Sequence, residues 1–222
     1  MAKRARSQEA KEEKAGAILD MAAQMFSTTE FEKIKMSEIA KALGISNGIL
    51  FVYFKTKEML FLQLLMREYE RRLDKMEQRI RNEDISNYEL LKKLIMEEMT
   101  ETIEYSDMYI RLISIRDAIL EKNTDLEKMI ETKQWLHSRV RDLAQLIHER
   151  CMIFSTEEII KTFLVQESIL VGCKLCSSLP KDILDIIDTY QLDGFKFAFK
   201  ENALRMMSFY LDGLYCQSNK ST

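Results

Sequence analysis

Four cysteines and two histidines are the side chains of this 222-residue chain that are best suited to metal binding or covalent chemistry. Cys173 and Cys176 have the CxxC spacing of zinc and dithiol sites, but the other two cysteines form no second pair, and zinc prefers four ligands. The pair lies in an apolar stretch, where small core residues are the alternative interpretation. His137 and His148 lie in a charged segment without a cysteine or aspartate motif beside them. The sequence therefore predicts no metal site and no cofactor.

No nucleophile with a paired base, no phosphate-binding loop and no spaced pair of carboxylates is recognisable, so we do not expect an enzyme. Hydrophobic residues make up 46% of the chain and charged residues 31%, which is typical of a soluble globular protein. One proline and six glycines are too few for the turns of an all-β fold. No apolar run reaches the roughly 18 residues of a membrane helix and no secretory signal is recognisable, so we expect no membrane partner. The four cysteines are too few and too clustered for a disulfide framework, which favours a reducing cytoplasm.

The most informative stretch lies between residues 35 and 54. Gly44 can adopt the left-handed conformation that ends a helix, and Ser46 can cap a second helix directly afterwards. Ala40, one turn before Gly44, is small enough to let the two helices cross closely. The aliphatic residues that would fill their shared core are Ile39, Leu43, Ile45 and Leu50. This spacing of a small residue, a glycine and an aliphatic residue is the pattern of a helix-turn-helix.

The second helix of such a motif enters the major groove of DNA with its N-terminal end first. Here the leading residues are Ser46, Asn47 and Gly48, which suit a close approach to phosphate. The charge distribution agrees, because residues 1–57 hold ten Lys/Arg and seven Asp/Glu while the remainder holds 23 and 29. A helical hairpin packed inside an ordinary core is the alternative interpretation of the pattern.

The sequence around this motif resembles the N-terminal domain of the tetracycline-repressor (TetR) family. Residues 18–26, ILDMAAQMF, are similar to the family's I-L-x-A-A-x-x-L-F, and residues 39–46, IAKALGIS, match I-A-x-x-x-G-[VI]-S. Residues 50–58, LFVYFKTKE, match the recognition-helix pattern L-[YF]-x-Y-F-x-x-K-E. Nearly all of these hallmarks follow in order over about 50 residues, so the resemblance is specific.

The resemblance implies a three-helix DNA-binding domain over residues 1–57 and a helical domain for ligand binding and dimerisation over residues 58–222. It implies contacts to double-stranded DNA, with Tyr53 and Lys57 matching family phosphate contacts. The predicted DNA-binding residues are Ser46, Asn47, Gly48, Phe51, Val52, Tyr53 and Lys57. The basic residues Lys3, Arg4 and Arg6 could form an arm in the neighbouring minor groove or remain a solvated tail.

The sequence departs from the family pattern in three places. Glu30 and Phe31 stand where a glycine commonly follows the first helix, and Lys35 replaces the threonine that often caps the second. Phe51 replaces a tyrosine and so has no hydroxyl to offer a phosphate. Phe51 and Lys35 favour the alternative function, a helical ligand-binding or assembly protein whose helix-turn-helix domain no longer reads a specific operator.

Helical periodicity continues through the rest of the chain. Three S/T-x-x-E sequences, which begin at Ser86, Thr124 and Ser155, each precede an apolar run and predict capping boxes. Pro180 interrupts the pattern before a last helix predicted over residues 195–215. With a first helix predicted over residues 7–26, the sequence predicts an all-α fold of about nine helices and no strand.

Beyond Leu60 no family motif continues. The resemblance implies a homodimer that binds a palindromic operator and encloses a small apolar effector. It favours a repressor over an activator. Residues that could line the effector site, or simply pack, are Tyr69, Met108, Tyr109 and Trp135. The resemblance places the dimer interface on the last two helices, where the candidates are Ile160, Phe163, Leu164, Ser168, Val171, Gly172, Leu175, Met206, Phe209 and Gly213. The alternative is that these stripes face only their own subunit's core.

Overall fold

The computed structural model describes residues 2–218, with side chains from residue 9 onward. The described chain contains ten α-helices and no strand, which confirms the predicted all-α class and adds one helix to the expected nine. The side chains of the predicted arm, Lys3, Arg4 and Arg6, lie outside the described residues. The helices are α1 (Ala2–Thr28), α2 (Met36–Ala42), α3 (Asn47–Tyr53), α4 (Lys57–Asn82), α5 (Tyr88–Tyr105), α6 (Asp107–Ile115), α7 (Leu126–Arg150), α8 (Thr156–Ser177), α9 (Lys181–Thr189) and α10 (Phe199–Ser218).

These helices form two compact units. The first comprises Met1–Glu70 with Ser114–Lys133, and the second comprises Arg71–Ile113 with Gln134–Thr222. Helices α4, α6 and α7 therefore contribute residues to both units. The domain boundary that the sequence predicts after residue 57 stays a prediction.

The first unit is organised around aromatic residues. Phe61 of α4 is fully buried and makes edge-to-face contacts with Phe26 and Phe31, at ring-centroid distances of 5.2 and 5.0 Å. Helix α1 packs against α2, and α2 packs against α3. Ile39 and Leu50 are fully buried, as the sequence pattern predicts for the shared core of these helices. The burial of these apolar side chains is what holds α3 in place.

In the second unit, α10 packs against both α5 and α8. One side of α10 is fully buried through Ala203, Met207 and Leu211, which recur at helical spacing. Leu170 of α8 and Leu94 of α5 are buried in the same unit. The opposite sides of α8 and α10 remain exposed and are described with the candidate interface.

One of the three predicted capping boxes is confirmed. The Ser155 hydroxyl accepts from the amide N–H of Glu158 at 3.3 Å, and the Glu158 carboxylate accepts from the Ser155 amide at 2.8 Å. The other two predictions are wrong by one residue, because Asn87 caps α5 and Asp125 caps α7. Asparagine and aspartate cap helices at least as well as serine and threonine. The cap is therefore formed by the asparagine or aspartate that follows the predicted serine or threonine.

These caps predict a difference between two serines. Ser155→Ala should lower the free energy of unfolding by about 1 kcal/mol, because it leaves an amide at the start of α8 without its acceptor. Ser86→Ala should change it by less than about 0.5 kcal/mol, since Ser86 is exposed and Asn87 holds the cap. Urea denaturation of both variants measures the two effects. Equal losses would show that the cap assignment at α5 is wrong.

Candidate nucleic-acid interface

The turn between α2 and α3 is built around Gly44. Its φ of +65° is left-handed, which costs glycine little and other residues more. The amide of Ile45 donates to the Ala40 carbonyl at 3.0 Å, and the amide of Gly44 donates to the Lys41 carbonyl at 3.1 Å. This pair of bonds is a Schellman motif, which ends α2 and directs the chain into α3. The predicted helix-ending role of Gly44 is confirmed.

The start of α3 is set by Ser46. Its hydroxyl accepts from the amide of Ile49 at 3.3 Å, as the sequence predicts for an N-cap. Leu50 faces inward and is fully buried, while Ala40 of α2 is 1% exposed. The small side chain of Ala40 lets the two helices approach closely, so the cap, the turn and the crossing together fix the orientation of α3.

The outer surface of α3 carries most of the predicted DNA-binding residues. Ser46, Asn47 and Gly48 are exposed, and the side chains of Phe51 and Val52 are 46% and 75% exposed. Tyr53 is half-buried at the end of the helix. The fold thus brings these six residues together on one short helix and its cap.

Lys57 occupies a different environment at the start of α4. Its ammonium donates to the carbonyls of Phe31 at 2.8 Å and Ile34 at 3.1 Å, and it lies 4.2 Å from the centroid of the Phe31 ring. Two of its three N–H groups therefore bind the backbone that leads into α2. Sequence reasoning missed this structural role, because the carbonyls lie more than 20 residues away along the chain.

Exposed lysines surround α3 on the neighbouring segments. Lys35 precedes α2 and provides no side-chain cap for it, Lys41 lies near the end of α2, and Lys55 follows α3. Lys35 is only loosely paired, at 3.9 Å from the Glu38 carboxylate. Helix α3 itself has no charged residue, so the positive charge lies on the segments before and after it.

Two family models match the chain. The model of bacterial regulatory proteins of the tetR family matches residues 18–64, and the tetracyclin repressor-like C-terminal domain matches residues 66–218. The chain belongs to the tetR family. A sequence comparison with curated proteins found no match.

Solved structures of tetR-type regulators share this fold. The fatty acid degradation regulator FadR from Bacillus halodurans is 17% identical, with 90% of this chain and 96% of that chain covered and a TM-score of 0.57. Reduced NemR from E. coli is 16% identical, with 87% and 94% covered and a TM-score of 0.51. The TetR family repressor AlkX from Dietzia is 17% identical, with 89% and 93% covered and a TM-score of 0.50. At these identities the likeness shows the fold alone.

The candidate effector residues of this tetR-family chain are buried or half-buried. In the first unit, Tyr69 is 5% exposed, and its hydroxyl accepts from the Arg116 guanidinium. In the second unit, Tyr109 is 1% exposed and donates to the Glu167 carboxylate at 2.6 Å. Met108 and Trp135 are half-buried. Their role in effector binding stays a prediction.

A buried polar cluster lies in the second unit, where an ordinary core would be apolar. The side chains of Arg72 and Glu98 are only 15% and 12% exposed and form an ion pair at 2.5 Å. Glu98 also accepts from Gln166 at 2.6 Å and from Thr102 at 3.0 Å. The Arg72 guanidinium stacks on Tyr109, 4.0 Å from the ring centroid. These bonds satisfy a charge pair that burial would otherwise make unfavourable.

Two cavities border this cluster. A cleft of about 140 Å³ lies along α4 and α5 and is lined by Arg72, Arg79 and Glu98 among others. A much smaller void of about 10 Å³, enough for one water, is lined mainly by apolar side chains and by Gln166. The four candidate effector residues line neither cavity.

The predicted dimer residues leave an exposed stripe on α8 and α10. We call this stripe the α8/α10 face; its exposed members are Leu164, Ser168, Gly172, Leu175, Met206, Phe209 and Gly213. Leu175 and Phe209 are 75% and 68% exposed, so this face presents large apolar side chains to solvent, as interaction surfaces do. The remaining candidates, Ile160, Phe163 and Val171, are half-buried.

The cysteines and histidines are dispersed. Cys173 is buried, with its sulfur 3.7 Å from that of Met206, and burial raises the pKa of its thiol, whereas Cys176 is exposed. His137 is exposed, and His148 is half-buried and bonded to the Phe154 carbonyl at 2.8 Å. Within residues 9–218, no group of three or more histidine, cysteine, aspartate or glutamate side chains could hold a metal ion.

Among the helices that the structure describes, none has the length and apolar character needed to cross a membrane.

Proposed function

We propose that this tetR-family regulator is a cytoplasmic repressor that binds a palindromic DNA operator as a homodimer. The observation that carries the proposal is the geometry around Gly44 and Ser46, which presents an uncharged, exposed α3 between segments that carry lysines. A helix of this kind fits the major groove, while lysines beside it attract phosphate. The residues proposed to contact DNA are those that the sequence predicts: Ser46, Asn47, Gly48, Phe51, Val52, Tyr53 and Lys57.

The proposal of a homodimer rests on the small surface that one DNA-reading helix can bury. One such helix buries too little surface for specific binding, so regulators of this type read two half-sites about 34 Å apart. The exposed α8/α10 face supports a partner of the same kind, since two copies can bury Leu175 and Phe209 against each other. Gly172 and Gly213 would let the helices of two copies approach closely, because both positions are exposed and neither carries a side chain.

We also propose that a small effector releases the DNA. An effector acts only if it binds the released state more tightly than the DNA-bound state. The second unit offers a largely buried polar cluster and an adjoining cleft, which are features of a site that can recognise a ligand. Trp135, the single tryptophan, does not line this cleft, so a screen of lipophilic compounds by its fluorescence quenching is read together with DNA release. Quenching without any change in DNA affinity would contradict this mechanism.

The direct test of the proposed function is to select bound DNA from a random-sequence pool with the full-length protein. A palindromic consensus with two equal half-sites would support it. Recovery of no consensus would instead support a ligand-binding or assembly protein, the alternative that Phe51 and Lys35 favour. A consensus with one half-site would contradict the homodimer but not DNA binding.

Lys57→Ala should have two measurable effects. Loss of the two backbone contacts should lower the free energy of unfolding by about 1.5–3 kcal/mol, because the ammonium is a charged donor. Loss of one phosphate contact should weaken binding to all sequences and reduce the slope of log K against log salt concentration by about one. Urea denaturation and binding at several salt concentrations separate these effects.

Lys33→Ala is the matched control for stability, because Lys33 is a surface lysine whose pair with Glu30 is largely exposed. It should unfold like the wild type. An unchanged salt slope for Lys57→Ala would show that Lys57 does not contact DNA and has only a structural role.

A further inference from the structure

Helix α3 has an unusual outer surface for a helix that reads DNA. At 100° per residue, Gly48 and Val52 lie one turn apart on the side opposite the buried Leu50. Val52 is 75% exposed, and its neighbours Ile49 and Phe51 are 39% and 46% exposed. The outward surface of α3 is therefore mainly apolar.

Hydrogen-bonding groups are scarce on this surface. Asn47 is the only exposed side chain of α3 that can both donate and accept, since the exposed residues after it are glycine and apolar residues. Gly48 adds no side chain that would hold Val52 away from a partner; a Cβ there would meet only the Ser46 hydroxyl, at 3.8 Å. The middle of the helix, from Gly48 to Val52, thus offers no side chain that can form a hydrogen bond with a base.

The edges of base pairs in the major groove carry hydrogen-bond donors, acceptors and one apolar group, the C5 methyl of thymine. A valine pressed against a donor or acceptor removes its water without replacing the bond, which is unfavourable. Against a thymine methyl the same valine buries apolar surface on both sides. Exposed Lys41 and Lys55 provide charges that complement the phosphates of such a duplex.

We infer that Val52 selects the operator by apolar contact with thymine methyl groups in each half-site, with Ile49 and Phe51 at the margins of that contact. This inference rests on the proposed function, because it names the part of the DNA that α3 reads. It makes Val52, rather than a hydrogen-bonding residue, the main specificity determinant in the middle of the helix.

The test uses the DNA selected from the random pool by the full-length protein. Synthetic duplexes replace one thymine at a time, in both half-sites, by deoxyuridine, which lacks only the methyl group. Binding should weaken about 4-fold per lost methyl, or about 15-fold for a symmetric pair, at the positions that Val52 contacts. The same duplexes are measured with Val52→Ala, which is exposed and should fold, and with Leu126→Ala as a control at another exposed apolar position.

Val52→Ala should bind the thymine and deoxyuridine duplexes with nearly equal affinity, while Leu126→Ala should discriminate like the wild type. A selected operator that binds equally well with deoxyuridine at every position would overturn the inference and leave the proposed function intact. The inference would also fail if Val52→Ala kept the full discrimination. If the pool yields no consensus, the proposed function fails and the inference fails with it.

Discussion

Gly172→Leu should convert the proposed dimer into a monomer and abolish operator binding, although each chain still folds. A Cβ at Gly172 meets no atom within 4 Å in the single chain, and leucine favours a helix more than glycine does. In a close helix pair, by contrast, the added side chain should cost about 1–3 kcal/mol per subunit. Two such costs weaken a dimer by about 30-fold to about 10⁴-fold.

Light scattering at micromolar concentration measures the oligomeric state, and a gel shift measures the affinity. Gly16→Leu is the matched control, because Gly16 lies in α1 and has equally open surroundings but is not on the α8/α10 face. It should leave the dimer unchanged. A Gly172→Leu protein that stays dimeric with full affinity would place the interface elsewhere.

Glu98→Gln should lower the free energy of unfolding by about 3–5 kcal/mol, because it removes the carboxylate that is paired directly with the buried charge of Arg72. Such a loss is a large part of the usual stability of a domain. Urea denaturation at pH 7 measures it. Glu131→Gln is the control, since the pair between Lys128 and Glu131 is largely exposed and should contribute less than about 1 kcal/mol.

The loss should also depend on pH. Burial by itself raises the pKa of Glu98, but the charge of Arg72 and hydrogen bonds from Arg72, Gln166 and Thr102 hold it below its ordinary value of 4.5. A depressed pKa stabilises the folded state above the unfolded pKa, and this stability disappears as the pH falls through the folded pKa. The difference between wild type and Glu98→Gln should therefore be largest near neutral pH and shrink below about pH 4.5. A pH-independent difference would mean that the charge of Glu98 is not its cause.

The helix-turn-helix could be predicted from sequence because its determinants are local. The left-handed conformation of Gly44, the cap at Ser46 and the small Ala40 lie within seven residues, and each has a preference that follows from its own covalent structure. Local rules also explain why the capping boxes predicted at Ser86 and Thr124 are wrong. Two adjacent residues can both cap a helix, and local rules do not choose between them when the neighbour is asparagine or aspartate.

The contacts that sequence reasoning missed join distant parts of the chain. Lys57 binds carbonyls 23 and 26 residues away, and Gln166 binds Glu98 across 68 residues. No short sequence pattern encodes such pairs, because each residue of a pair, taken alone, resembles an ordinary surface residue. The apolar candidates on α8 and α10 share this difficulty: their periodicity fits a core as well as an interface, and only their exposure in the folded chain favours the interface.

In the proposed DNA complex, the absence of charge on α3 separates two kinetic properties of binding. Long-range attraction, which sets how fast the protein meets any duplex, comes from lysines on the segments before and after the helix. Residues on α3 act only after contact and so determine how long the protein stays on a particular site. On this proposal, substitutions at Val52 or Asn47 would change the preferred operator during evolution without changing the rate at which the regulator searches the genome.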